Sequence, residues 1–382
     1  SQGAERSGIM LKIVADDKIP FLRGALEPYA EITYLPGGKI TRNDLLHADA
    51  LITRTRTKCN AELLDGTAVK FIATATIGYD HIDTAYCRAH GIAWTNAPGC
   101  NSGSVMQYTT SLLLRYSLKT GRRLKEMTLG IVGVGNVGSK VAKAAKLLGM
   151  EVLLNDPPRE RQEGAGKYSP LDAILEKSDI ITFHVPLIRT GSDATFHLAD
   201  RSFFERASKQ PFLINSSRGE VVDNAALKEA LKTGKLRGAA LDVWENEPEI
   251  DLGLLNLLDY ATPHIAGYSA DGKANGTSMS VNALASFFAL PLYEFEPDVP
   301  RPEDPLIRIP SEGASEEQLA KAVFRSYDIL SDDQRLRMSP AAFEKLRGDY
   351  PLRREFAAYR ISGADDLATT YSGLGFQIVK EQ

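Results

Sequence analysis

Residues 128–149, TLGIVGVGNVGSKVAKAAKLLG, constrain this chain more than any other stretch. An apolar run that reads as a buried strand passes into an amphipathic helical run through Gly133–Gly138, with glycine at the first, third and sixth positions. Gly133 permits a tight turn, Gly135 lets a ligand approach the backbone, and Gly138 lets helix and strand pack closely. The helix opening at Asn136 and Val137 offers unpaired N–H groups and a partial positive charge, which suits a pyrophosphate. A second strand, 151–156, ends in Asp156, eighteen residues after Gly138. A carboxylate there accepts hydrogen bonds from an adenosine ribose and repels a 2′-phosphate, so the pattern predicts a dinucleotide site that favours NAD over NADP. Arg159 tempers that preference, because an arginine so placed can reach a phosphate.

The rest of the chain continues the alternation. Residues 11–15, 32–35, 50–53, 70–75 and 91–96 read as strands, and 19–29 and 80–90 as helices. After the glycine loop, 179–186, 212–216 and 238–244 read as strands and 224–232 as a helix, with Leu227 and Leu231 one turn apart and Gly234 as its stop. Such alternation predicts parallel sheets covered on both faces. At 382 residues the chain is too long for one core. Six prolines between 291 and 310 predict an extended arm without regular pairing. Beyond it, 316–330 and 340–349 look helical, and 356–361, a helix from 364, and 376–380 form a small βαβ-like unit.

A net charge of −4 gives no basic field for nucleic acid or a membrane surface. Cys59, Cys87 and Cys100 lack any CxxC spacing, so neither a disulfide framework nor a metal site is expected, and a cytoplasmic setting fits. No apolar run is long enough to span a membrane. Residues 1–9 lack the apolar core of a signal peptide and read as a tail ahead of Met10.

Oxidising an alcohol takes a base for its proton, a cation to orient the substrate, and an acceptor for the hydride. Three strand-end segments offer such groups. NSSRGEVVD carries Ser216, Ser217 and Arg218, LDVWENEP carries Asp242 and Glu247, and TPHIAGY carries His264, Gly267 and Tyr268. Ligands of open parallel sheets bind at the carboxyl ends of strands, where all three segments lie. His184, followed by Val185 and Pro186, sits in a buried-strand pattern and is read as structural; His47, His81, His90 and His197 carry no motif.

In this order, GVGNVG with Asp156, SSRGEVVD, ALDVWENEP and TPHIAGY resemble the D-2-hydroxyacid dehydrogenase family. The resemblance implies a Rossmann-type NAD domain (105–267), a discontinuous flavodoxin-like substrate domain (10–104 and 268–290), and a proline-rich arm with a small α+β C-terminal dimerisation domain (291–382). It implies that Arg218 grips the substrate carboxylate, that His264 is the general acid/base, and that Glu247 hydrogen-bonds it and favours its charged form. Asp242 would face the nicotinamide, with Val185, Pro186, Ser216, Ser217 and Gly267 also on the cofactor. ATATIGYDHID, NAPGCNSGSV, NDPPR and the C-terminal segment resemble a branch of that family. Its members oxidise 4-phospho-D-erythronate in vitamin B6 biosynthesis and form homodimers. Two departures stand out: Gln107 replaces a common Glu, and Ser216-Ser217 replaces a small-Cys pair.

A phosphorylated substrate calls for cations in the first domain. TRTRTK offers Arg54, Thr55 and Arg56, and alternation along an extended segment would put the two arginines on one face. Thr76 and the N–H groups to Gly78 are the family's candidates for the carboxylate. Two other readings stay open: another D-2-hydroxyacid dehydrogenase, such as one for phosphoglycerate, or an NAD-sensing binding protein on the same scaffold.

Overall fold

The computed structural model describes residues 10–380, and the tail expected at residues 1–9 lies outside them. The chain divides into two compact units. One runs to Asn101 and resumes over Ala270–Pro300; the other comprises Ser102–Ser269 and continues from Arg301.

In the first unit β1 (Leu11–Asp16), β2 (Ala30–Leu35), β3 (Ala50–Thr53), β4 (Phe71–Thr74) and β5 (Ala93–Thr95) form a parallel sheet in the order β2-β1-β3-β4-β5. Side chains alternate between its faces. Ile13, Ala15, Ile52 and Phe71 pack with Val281, Leu284 and Ala285 of the helix Ala270–Phe287, while Val14, Leu51 and Ile72 pack with Leu45, Ile82 and Cys87. Both faces are therefore covered, which is why β3 and β4 are apolar without alternation.

The helix expected at 19–29 is absent. That stretch is a run of turns, with Phe21 at φ 63° and Gly24 at φ 93°, and prolines at 20 and 28 remove backbone donors. Leu22, Ala25 and Leu26 are buried all the same, so the apolar spacing reflects burial rather than helical backbone. The helix expected at 80–90 is shorter, Thr84–Ala89, because Asp83 caps it by accepting from the N–H of Tyr86.

In the second unit β6 (Thr128–Val132), β7 (Glu151–Asn155), β8 (Ile180–Phe183), β9 (Phe212–Asn215), β10 (Gly238–Leu241) and β11 (Tyr260–Ala261) are parallel in the order β11-β10-β9-β8-β6-β7. The chain steps from β6 outward to β7 and then returns past β6 to β8. That reversal opens a crevice at the strand ends of β6 and β8.

The C-terminal segment adds a third parallel sheet, β12 (Leu306–Arg308), β13 (Arg360–Ser362) and β14 (Gln377–Ile378). β12 corrects the expectation that the proline-rich arm pairs with nothing: its three residues lie between Pro305 and Pro310 and keep their N–H groups. The expected helix 316–330 is two helices, Ser315–Ser326 and Ile329–Met338, broken at Tyr327 and restarted by the Asp328 cap. The segment shares its core with the rest of the unit. Ile307, Leu319, Tyr327 and Tyr371 pack with Tyr108, Leu112 and Tyr116 of the helix Ser102–Thr120, Arg115 pairs with Asp328 at 2.5 Å, and Asp333 accepts from the N–H of Ala261. Among the described residues no helix is long and apolar enough to cross a membrane.

Candidate active site

The glycine loop fits a pyrophosphate. Gly133 has φ 95°, and a Cβ there would lie 2.1 Å from the carbonyl oxygen of His184, at the end of β8. At Gly138 a Cβ would lie 1.9 Å from the Gly133 oxygen. A Cβ at Gly135, by contrast, would meet only the Arg159 guanidinium, at 3.8 Å, so this glycine keeps a surface clear. The helix Asn136–Leu147 starts at Gly135 with no capping side chain, which leaves the first-turn N–H groups of Asn136, Val137 and Gly138 to a ligand.

Asp156, expected on the ribose, also braces the loop. Its Oδ2 accepts from the N–H of Val134 at 2.8 Å, and its Oδ1 accepts from the N–H of Arg159 at 3.2 Å. The Arg159 Nε lies 3.5 Å from Oδ2, so the arginine that tempered the NAD preference is held by the carboxylate expected to set it. Val185 borders Gly133, and the Pro186 carbonyl accepts from Thr195. Ser216 Oγ is buried without a hydrogen-bond partner among the described residues, and Ser217 donates through N and Oγ to Asn215. His184 is partly buried at the end of β8: Nε2 meets Thr182 Oγ1 at 2.9 Å, and desolvation lowers its pKa to about 4.

Three loops at the ends of β9, β10 and β11 carry the residues expected to be catalytic. Arg218 follows β9, its carbonyl fixed by the Asn215 side chain and its own side chain exposed. Next to it Gly219 packs against the loop after β10, where a Cβ would lie 2.2 Å from the Trp244 oxygen. That loop curls so that Glu247 Oε2 accepts from the N–H of Trp244 at 3.0 Å. The other oxygen, Oε1, lies 2.5 Å from Nδ1 of His264. Burial alone would raise the Glu247 pKa, but the bond and charge of His264, the Trp244 N–H and the charge of Arg347 outweigh it and hold the carboxylate below its ordinary value.

An ionised Glu247 accepts, so the Nδ1 that meets it carries a proton and Nε2 is the acceptor of a neutral ring. His264 is half-buried, and its Nε2 makes no hydrogen bond within the chain among the described residues. Its φ is 57°, the left-handed region.

Asp242 does not present a free carboxylate. It is buried, and its oxygens accept from Thr262 Oγ1 at 2.7 Å and from the N–H groups of Ile265 and Ala266 at 2.8 and 3.0 Å. Burial raises its pKa despite these donors and the charge of His264. Tyr108 extends the network to Thr262 at 2.6 Å. Half-exposed, Gly267 and Tyr268 follow in the turn, with the Arg347 guanidinium 5.4 Å from the Tyr268 ring. His197 braces the neighbouring loop, its Nε2 2.5 Å from Glu245 Oε1, while Glu245 Oε2 accepts from the N–H of Asn224. Sequence reasoning missed this bracing, and it missed Arg347 and Arg353, which reach the His264 loop from a segment without a motif.

The first unit places Arg54 just past β3, its Nε 3.3 Å from the buried Asp16 carboxylate. The chain then turns through Thr55 and Arg56, both exposed, and buried Thr57 donates to the Gly37 carbonyl. The extended alternation expected to set Arg54 and Arg56 on one face therefore ends at Thr53. Thr76 donates to the Gly78 carbonyl and meets Thr74 Oγ1 at 2.6 Å, and Thr74 Oγ1 in turn meets His81 Nε2 at 3.1 Å.

Doubly wound parallel sheets, a pyrophosphate cradle, and arginine, glutamate and histidine at strand ends define an NAD-dependent dehydrogenase of the D-2-hydroxyacid class. A model of the D-isomer specific 2-hydroxyacid dehydrogenase NAD binding domain matches residues 106–266, and one described as a domain of unknown function matches 299–375. The chain is 54% identical over 353 residues to erythronate-4-phosphate dehydrogenase of Bacteroides fragilis, covering 92% of this chain and 99% of that one. It is 46% identical to the Porphyromonas gingivalis enzyme of the same name, over 93% and 96% of the two chains. The chain belongs to the erythronate-4-phosphate dehydrogenase family. Among solved structures, D-lactate dehydrogenase from Aquifex aeolicus complexed with NAD and lactic acid matches with a TM-score of 0.57 and 30% identity, over 73% of this chain and 95% of that one. An NADPH-dependent glyoxylate/hydroxypyruvate reductase from Sinorhizobium meliloti matches with a TM-score of 0.61 and 25% identity, over 75% and 97%.

Proposed function

We propose that this enzyme oxidises 4-phospho-D-erythronate to 2-oxo-3-hydroxy-4-phosphobutanoate in vitamin B6 biosynthesis. The observation that carries the chemistry is the Glu247–His264 hydrogen bond of 2.5 Å, which assigns the proton to Nδ1 and leaves Nε2 as a base. The cradle at Gly133–Gly138 and Asp156 would hold NAD, which would supply the acceptor for the C2 hydride. His264 Nε2 removes the proton of the C2 hydroxyl, and Glu247 stabilises the resulting imidazolium. Arg218 orients the carboxylate and polarises the reacting oxygen as the carbonyl forms. Asp242 holds the backbone on which His264 stands.

Arg54, Thr55 and Arg56 serve the substrate phosphate, with Arg54 pre-oriented by Asp16. Thr76 and the N–H groups beside it, together with Tyr268, complete the substrate contacts. Two copies pair through residues 291–382, and the enzyme works in the cytoplasm; sedimentation of the full chain as a dimer supports the pairing, and as a monomer refutes it. The test of the chemistry is His264→Ala, whose turnover, followed by NADH absorbance, falls by a factor on the order of 10²–10⁴. Near-parental turnover refutes the mechanism.

A further inference from the structure

Three consecutive carbonyl groups of the catalytic loop are held by two arginines of the C-terminal segment. Arg347 Nε donates to the His264 oxygen at 3.2 Å. Arg353 donates through Nη1 to the Ile265 oxygen at 3.0 Å and through Nη2 to the Ala266 oxygen at 2.9 Å. The N–H groups of the same three residues all go to Asp242: His264 to its carbonyl at 2.8 Å, Ile265 and Ala266 to its carboxylate. Every backbone polar group of residues 264–266 is therefore engaged, the N–H groups by Asp242 and the carbonyls by the two arginines. Ser104 Oγ donates to the Ala266 oxygen at 2.7 Å and the Tyr268 N–H to the Ile265 oxygen at 2.9 Å as well.

Arg353 is built into this place. It is 5% exposed, its Nε donates to Gln107 Oε1 at 2.9 Å, and its Nη2 also reaches the oxygen and hydroxyl of Ser104. Gln107 is itself fixed, its Nε2 donating to the Arg354 carbonyl at 2.8 Å. The guanidinium lies over the Tyr327 ring at 4.1 Å, and Nη1 also reaches the Tyr350 hydroxyl. Among the described residues its hydrogen-bond acceptors are carbonyl, amide and hydroxyl oxygens, with no carboxylate among them. A buried cation so placed is a costly way to stabilise a core, where apolar side chains of like volume do as well or better. What it supplies is five donors in a rigid plane, enough to fix several carbonyls at once. His264 needs such fixing, since a non-glycine residue persists at positive φ only when its surroundings impose it.

We propose that Arg353, together with Arg347, is a positioning residue for the catalytic histidine, which makes the C-terminal segment a working part of the active site within its own chain. This rests on the reading of His264 as the acid/base. Displacing the loop by a fraction of an ångström would move Nε2 away from the hydroxyl without touching the cofactor cradle, so the loss should fall on turnover.

Arg353→Met, Arg353→Lys and Arg347→Gln are made in the full chain, with functional sites counted by NAD titration. Turnover per NAD-binding site on 4-phosphoerythronate is expected to fall about 10–100-fold in Arg353→Met and Arg347→Gln, while KM and NAD affinity stay within about threefold. Arg353→Lys should recover part of the loss. If Arg353→Met yields no NAD-binding protein, Arg347→Gln and Arg353→Lys decide on the same measure. Turnover per site within about twofold of the parent, with only the number of sites reduced, overturns the proposal. His264→Ala is assayed alongside. Parental turnover there defeats the acid/base reading itself, whereas an inactive His264→Ala beside parent-like arginine variants defeats the positioning role alone.

Discussion

Gly219 lies so close to the main chain of Trp244 that a Cβ would stand 2.2 Å from the carbonyl oxygen and 2.3 Å from its carbon. The contact locks the loop carrying Arg218 to the loop carrying Glu247, and through Glu247 to His264. Gly219→Ala must push the two loops apart, since both offending atoms are backbone. The expected result is a fall in kcat/KM of about 10²-fold, with a loss of folding stability on the order of 1–3 kcal/mol. Steady-state kinetics and calorimetry on the same preparation check both, and an alanine variant with parental kcat/KM would show the contact to be dispensable.

Asp156 holds the glycine loop through Val134, and the task expected of it besides is to accept the ribose hydroxyls of NAD. Losing charge-assisted bonds worth ~1.5–3 kcal/mol each, Asp156→Ala should weaken NAD binding about 10–100-fold. Because Arg159 loses the carboxylate beside it, the variant should also bind NADP relatively better. Titration by cofactor fluorescence measures both affinities. Unchanged NAD affinity would remove Asp156 from the cofactor site.

His184 makes stability depend on pH. Burial lowers its pKa from 6.5 to about 4, so between those values the unfolded chain binds a proton that the folded chain does not. The stabilisation is therefore complete above about pH 6.5 and declines as pH falls toward 4, by an amount on the order of 1–3 kcal/mol. Denaturant unfolding at pH 4.5, 5.5 and 6.5 should show stability rising with pH. His184→Gln should flatten that rise, and an unaltered slope would assign it to other groups.

Much of this was legible in the chain, for a physical reason in each case. β3, β4, β8 and β9 are buried on both faces and so appear as short apolar runs. Arg218, Glu247 and His264 each lie in the loop that follows a strand, and local patterning points to them. Residues 19–29 misled because turns can bury Leu22 and Leu26 as a helix would. β12 was hidden between prolines whose missing donors fall outside its three paired residues. The arginines of the C-terminal segment were invisible for a different reason: Arg347 and Arg353 meet the His264 loop across 83 and 88 residues of sequence, and no local pattern records such a contact.

The central claim is that the substrate is a 2-hydroxy acid recognised by its terminal phosphate. The most direct measurement is NADH formation across 2-hydroxy acids with and without that phosphate, using the parent enzyme and the Arg54→Ala and Arg56→Ala variants. The account predicts that 4-phospho-D-erythronate is oxidised with the highest kcat/KM, ahead of 3-phosphoglycerate and unphosphorylated erythronate. It also predicts that each variant raises KM about 10-fold or more for phosphorylated substrates while leaving unphosphorylated ones nearly unaffected. Equal losses on both kinds of substrate, or a parent enzyme that prefers an unphosphorylated acid, would contradict it.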